Sequence, residues 1–112
     1  MTYMTKGLGP LLRLAGFGLA AMRALESDGT EWLSYDRTWA QQRFSPLQQI
    51  DTESVDKLGL TWSIDLDNNR GLEATPLYHE GVLYTSLSWS RVMAVDAGTG
   101  QILWSYDPQV DK

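Results

Sequence analysis

Apolar and polar positions alternate most regularly in the second half of the chain. In LTWSIDL, residues 60–66, Leu60, Trp62, Ile64 and Leu66 are separated by Thr61, Ser63 and Asp65. That is the two-residue period of a strand with one covered face. DNNRG supplies a turn or loop. EATPLYH, GVLYTSLSW, RVMAVDA and QILWSYD follow, with tight connections at Glu80-Gly81, around Ser90 and at Gly98-Thr99-Gly100. Four short strands so connected predict a β-meander, one four-stranded antiparallel sheet, and an all-β chain.

The stretch before them is patterned differently. SDGTEWLSYDRTWAQQRFSPLQQI has no sustained period and reads as extended chain and turns, pinned by Trp32, Tyr35, Trp39 and Phe44. DTESVDKLG carries helix punctuation: Asp51 or Thr52 as N-cap, Glu53 in the first turn, Lys57 near the end and Gly59 as a stop. It predicts one short helix of two turns at most. The organisation expected is thus an extended segment with a short helix over 27–59, then an outer strand and the sheet over 60–112.

Residues 1–26 differ again. Lys6 and Arg13 precede the nine-residue apolar run 14–22, the layout of a secretory signal peptide. The run falls short of the ~20 residues a spanning helix needs. Arg23 follows it and no small-x-small cleavage site is evident, so the signal is a degraded one. The other reading of this stretch is an ordinary helix over 11–25 that packs an apolar face.

Composition narrows the chemistry. Five Trp and five Tyr in 112 residues favour strands and large buried areas. The net charge is −5 and the nine Lys and Arg are scattered. No basic stripe could neutralise a run of phosphates, which argues against a nucleic-acid partner. Without cysteine there is no disulfide frame, thiolate zinc site or cysteine nucleophile in these residues, and the single His79 cannot build a histidine metal cluster.

AVDAGTGQILW, residues 94–104, is the most informative stretch. Gly98 and Gly100 can supply positive φ to a tight turn. The Asp96 carboxylate can accept from backbone N–H groups of the turn and from the Thr99 hydroxyl. Trp104 then offers a broad ring to an adjacent sheet and an N–H that needs a partner. Such a unit is half of an interface, expected to be completed by another copy of itself. A structural role for Asp96 is accordingly expected over that of a catalytic base.

Ala94, Asp96, Thr99, Gly100 and Trp104 resemble the tryptophan-docking motif of quinoprotein dehydrogenase propellers. DGTEWLSYDRTWAQQRFSPLQQI, KLGLTWSIDLD, RGLEATPLYHEGVLYTS and WSYDPQV resemble, in that order, the mature amino-terminal end of pyrroloquinoline-quinone (PQQ)-dependent alcohol dehydrogenases. The resemblance runs from about residue 27 to 110. It implies that the sheet is the first blade of an eight-bladed β-propeller in a periplasmic enzyme. That enzyme would oxidise primary alcohols to aldehydes with PQQ and calcium and pass electrons to a cytochrome c.

One functional residue is implied by the resemblance, Glu73 of the EATP element, as a cofactor-contacting carboxylate on the inner strand. Read from the residues alone, Glu73 pairs instead with Arg70 at a strand edge, a contact worth little. Trp32, Trp39, Trp62 and Trp104 read as core or blade-interface residues, Trp89 as a strand-end packing residue and His79 as exposed. The adjacent-cysteine pair, calcium ligands, catalytic Asp and Trp floor of the family would belong to later positions than Lys112. One blade would leave both sheet faces exposed, so these residues alone are expected to self-associate and to lack dehydrogenase activity. Two other readings remain at this point: a non-enzymatic propeller scaffold, and a small protein whose copies close a ring.

Overall fold

The computed structural model describes residues 19–26, 29–67 and 70–110. The meander is present as β1 (Leu77–His79), β2 (Val82–Ser86), β3 (Val92–Asp96) and β4 (Ile102–Tyr106), in spatial order β1-β2-β3-β4 with all pairs antiparallel. Tyr84 pairs with Leu77 on one side and Ala94 on the other, and Ala94 pairs with Trp104. A bulge between Ala94 and Val95 shifts the register against β4, since Val95 pairs with Ile102. Leu103 is the extra residue of that bulge.

The first strand is shorter than EATPLYH predicts. Its ladder starts at Leu77, and the residue before it is Pro76. Tyr78 turns its N–H and C=O toward Trp32, and Pro76, two residues earlier, would turn the same way, so its missing N–H takes nothing from pairing with β2. Residues 71–76 lie outside the ladder, and 71–74 border a groove shared with Ser86–Ser88 at the end of β2.

The two faces of the sheet are covered unequally. Leu83, Thr85, Met93 and Val95 share one face, and Trp62, Ile64 and Leu66 lie against it around an apolar cavity of about 190 Å³. The expected period of two is visible there: along 61–67, exposed and half-buried residues alternate strictly. Yet 60–66 forms no ladder with the sheet. It is an extended segment packed by its side chains, not a fifth strand. On the other face, Ser34 and Tyr35 approach Leu77, Tyr84 and Val92. One face is thus covered from within the chain, against the expectation of two bare faces.

Only β3 is buried on both sides: Met93, Ala94 and Val95 are the buried apolar residues among those described. Every residue of β4 is exposed.

The segment over 29–59 is tied to the sheet rather than packed as a layer. Trp32 and Tyr78 exchange both backbone hydrogen bonds, at 3.0 and 2.9 Å. Next to them the Glu31 carboxylate accepts from the Glu80 N–H and meets His79 Nδ1 at 2.9 Å. His79 is thereby half-buried and engaged, not an exposed residue.

The helix expected in DTESVDKLG is a single 3-10 turn, Val55–Lys57. Asp51 Oδ1 accepts from the Glu53 and Ser54 N–H groups and from the Ser54 hydroxyl. The hydroxyl also donates toward Gln49 O. Asp51 thus closes the turn ahead of Val55–Lys57, and the extended backbone of Leu58 (ψ 135°) ends the helical run after one turn. Upstream, α1 spans Leu19–Leu25 with Arg23 in its last turn. Most of the signal-peptide reading falls on residues 1–18, outside the described residues.

Candidate functional site

Two places bring together residues singled out in the sequence. At the 96–100 turn, Asp96 Oδ1 accepts from Gly98 N–H (3.1 Å), Thr99 N–H (2.8 Å) and Thr99 Oγ1 (2.8 Å). The Gly100 N–H donates to Asp96 O at 2.9 Å and closes the loop. The Thr99 hydroxyl, followed by the two N–H donors, holds the Asp96 carboxyl below the usual carboxylate range. The turn donors converge on Asp96 Oδ1, the arrangement of a turn-closing carboxylate.

A tryptophan does dock on this turn, and it is Trp62. Its Nε1–H donates to Ala97 O at 2.9 Å. Gly100 has φ +75°, and a Cβ there would fall 2.7 Å from the Trp62 ring. Glycine is required twice over, for the backbone angle and for the ring. The partner of the turn is thus an indole from 60–66. Trp104, 43% exposed, instead tilts toward Tyr84 with ring centroids 6.2 Å apart. The signal for this pairing is in the sequence: Trp62-Ser63-Ile64-Asp65 and Trp104-Ser105-Tyr106-Asp107 share Trp-Ser-x-Asp. Trp62 has the 96–100 turn as its partner, and Trp104 lies on the exposed β4.

The second place is the mouth between the extended 71–75 chain and the end of β2. Gly71, Leu72, Glu73 and Ala74 face Ser86, Leu87 and Ser88 across an open groove of about 330 Å³. Continuing the β1–β2 register past Pro76 sets Glu73 opposite Ser88. Glu73 is exposed, so its carboxylate keeps its hydration until something fills the groove.

The far lip of the groove is a strained turn. Ser88–Ser90 is a 3-10 turn in which Trp89 (φ 64°) and Ser90 (φ 56°) are both left-handed. The Leu87 N–H closes it by donating to Arg91 O at 2.7 Å. Arg91 forks onto Asp67 at 2.8 and 2.6 Å, and the Arg70 guanidinium lies over the Trp89 ring with Cζ 4.4 Å from its centroid. Trp89 is a turn residue rather than a strand-end one. Nothing in the sequence marks a tryptophan for left-handed backbone, which bulky residues rarely adopt.

Among the described residues no three His, Cys, Asp or Glu side chains gather as a metal site, and no helix is long and apolar enough to cross a membrane. What the mouth offers is one hydrated carboxylate, backbone polar groups and two serine hydroxyls around a slot. That set fits one side of a flat polar ligand and does not fit a metal cage.

Comparison with known proteins places the chain. Residues 32–112 match the β-propeller domain of glucose, ethanol and alcohol dehydrogenases. The chain is 64% identical over 104 residues to a quinohemoprotein alcohol dehydrogenase of Pseudomonas putida, covering 92% of this chain and 15% of that protein. The crystal structure of the quinohemoprotein alcohol dehydrogenase from Comamonas testosteroni superposes with a TM-score of 0.76 at 43% identity, over 80% of this chain and 13% of that one. A europium-containing methanol dehydrogenase follows at 0.74 and 29% identity, covering 82% of this chain and 16% of that one. The chain therefore spans about one seventh of the length of these relatives. A four-stranded meander, a turn that seats an indole and a match over 32–112 together show that the chain belongs to the β-propeller family of the glucose, ethanol and alcohol dehydrogenases.

Proposed function

We propose that this chain forms the first blade, with its amino-terminal wrapping segment, of a periplasmic PQQ-dependent alcohol dehydrogenase that oxidises primary alcohols to aldehydes. The observation that carries the reading is the groove at Glu73, a carboxylate presented at the mouth of a blade of this family. When bound, the quinone with its calcium supplies the electron-accepting and Lewis-acid chemistry, and a cytochrome c takes the electrons onward.

The chain's own part is recognition. Glu73 would hold the quinone as a hydrogen-bond acceptor, with Ser86 and Ser88 lining the same groove. As the groove fills, Glu73 loses water and its hydrogen bond strengthens in the lower dielectric. The metal ligands come from residues other than those described here.

A chimera tests this. The 104-residue matching segment of the Pseudomonas putida relative is replaced by that of this chain, and the apo-protein is titrated with PQQ in the presence of calcium or europium. Binding and alcohol-dependent dye reduction are expected with the parent chimera. Glu73→Gln keeps the shape but weakens the acceptor, and should reduce quinone affinity about tenfold, the scale of one charge-assisted hydrogen bond. Unchanged affinity in Glu73→Gln would remove the assignment. Tighter binding with europium than with calcium would correct the metal.

A further inference from the structure

We infer that the Trp89 turn is the positioning element of the Glu73 carboxylate, an inference that rests on the reading of Glu73 as a quinone contact. The starting point is a gap in the hydrogen bonding. The β1–β2 ladder starts only at Leu77, so no ladder fixes residues 71–75 against Ser86–Leu87–Ser88 across the groove. A carboxylate on such a strand end samples many positions, and a ligand that needs it in one place bears that ordering cost.

The structure supplies two attachments just upstream. Asp67, six residues before Glu73, takes the fork of Arg91 at 2.8 and 2.6 Å. Arg70, three residues before it, lies over the Trp89 ring at 4.4 Å. Both attachments end on the same five-residue turn, which is closed by Leu87 N–H to Arg91 O at 2.7 Å and by Arg91 Nε to Ser88 O at 3.4 Å. The turn that forms the far lip of the groove thus also holds the near lip.

Trp89 and Ser90 both sit in left-handed backbone. Such conformations persist where surrounding contacts over-determine them, and they cluster at ligand clamps. In this left-handed turn the indole lies beneath the Arg70 guanidinium. Asp67, Arg70, Trp89 and Arg91 touch no ligand in this scheme. They are positioning residues, and their effect is expected on cofactor affinity, not on the alcohol.

The chimera above, as apo-protein, provides the test, with PQQ plus calcium as the probe and equilibrium dialysis as the readout. Asp67→Asn and Trp89→Gly are expected to weaken quinone binding about tenfold, well inside the ~100-fold that misplacing a group by about 1 Å can cost. Trp89→Phe keeps a ring under Arg70 and should retain most of the affinity. The exchange Asp67→Arg with Arg91→Asp rebuilds the pair with reversed polarity and should recover part of the loss. An exposed ion pair contributes little to folding, so the apo thermal midpoint of Asp67→Asn should equal the parent's. KM for alcohol at saturating quinone should not move.

Parent-like affinity in Asp67→Asn and Trp89→Gly, alongside weakened Glu73→Gln, overturns the positioning role and leaves Glu73 as the contact. Affinity lost in Asp67→Asn and not recovered in the exchange overturns it as well. Parent-like affinity in Glu73→Gln overturns both, because nothing is then positioned.

Discussion

The Asp96 carboxylate takes three donors on one oxygen. Those donors favour the charged form, Thr99 Oγ1 most of all, so the folded pKa lies below its ordinary value. A depressed folded pKa contributes stability at pH values above the unfolded carboxylate pKa of about 3.9, lost as pH falls through the folded value. Thr99→Val removes the strongest donor and keeps the backbone ones. Asp96 should then titrate closer to an ordinary carboxylate, and the acid limb of the turn's stability should move to higher pH. Carboxyl chemical shifts followed against pH check this, and an Asp96 midpoint unchanged by Thr99→Val would contradict it. This network is legible in DAGTG because an Asp followed by Gly, Thr and Gly leaves few other partners within reach. The left-handed Trp89 is not legible, because neither its residue type nor its spacing marks the contact its ring makes with Arg70.

Side-chain periodicity reports which residues are covered and says nothing about which strand supplies hydrogen bonds. That is why β1 to β4 and the covered face of 60–66 are readable in advance, while the absence of a ladder for 60–66 is not. EATPLYH carries the same lesson: its pattern reads as strand throughout, yet the ladder begins only at Leu77. The docking of 60–66 then depends on one indole and one glycine. Gly100→Ala places a methyl 2.7 Å from the Trp62 ring at a residue with φ +75°. Its expected cost is about 1–3 kcal/mol, from overpacking and from a side chain in left-handed backbone. Gly98→Ala meets only Asp96 Oδ1, at ordinary contact distance of 3.5 Å, and should lie within about 0.5 kcal/mol of the parent. Denaturant midpoints of the two variants in the chimera compare them directly. Equal midpoints would mean that Trp62 is not seated on Gly100.

At the scale of the molecule, three buried apolar residues, Met93, Ala94 and Val95, stand against an exposed set that includes Ile102, Leu103, Trp104 and Tyr106 on a single strand. Among the described residues β4 has one hydrogen-bonded neighbour, β3, so its outer edge presents N–H and C=O groups with no partner strand there, beside that apolar surface. Exposed edges of this kind template pairing with other chains. Covering them takes either the next blade of a ring or another molecule. Because repeat units of this sort need roughly three or more copies to bury a continuous core, the 112-residue chain by itself should sediment as a mixture of associated species and melt without a sharp transition. Leu103→Lys with Tyr106→Lys puts charge on the exposed strand and should shift the distribution toward monomer, since like charges on two meeting edges repel. It should not sharpen the melt, because the core of three residues is unchanged. Sedimentation velocity and a thermal scan on both proteins separate the two effects. A monodisperse monomer with a cooperative transition in the parent would show that the face covered by Trp62, Ile64 and Leu66 is enough to hold a lone blade, and that the neighbouring blade adds a site rather than a fold.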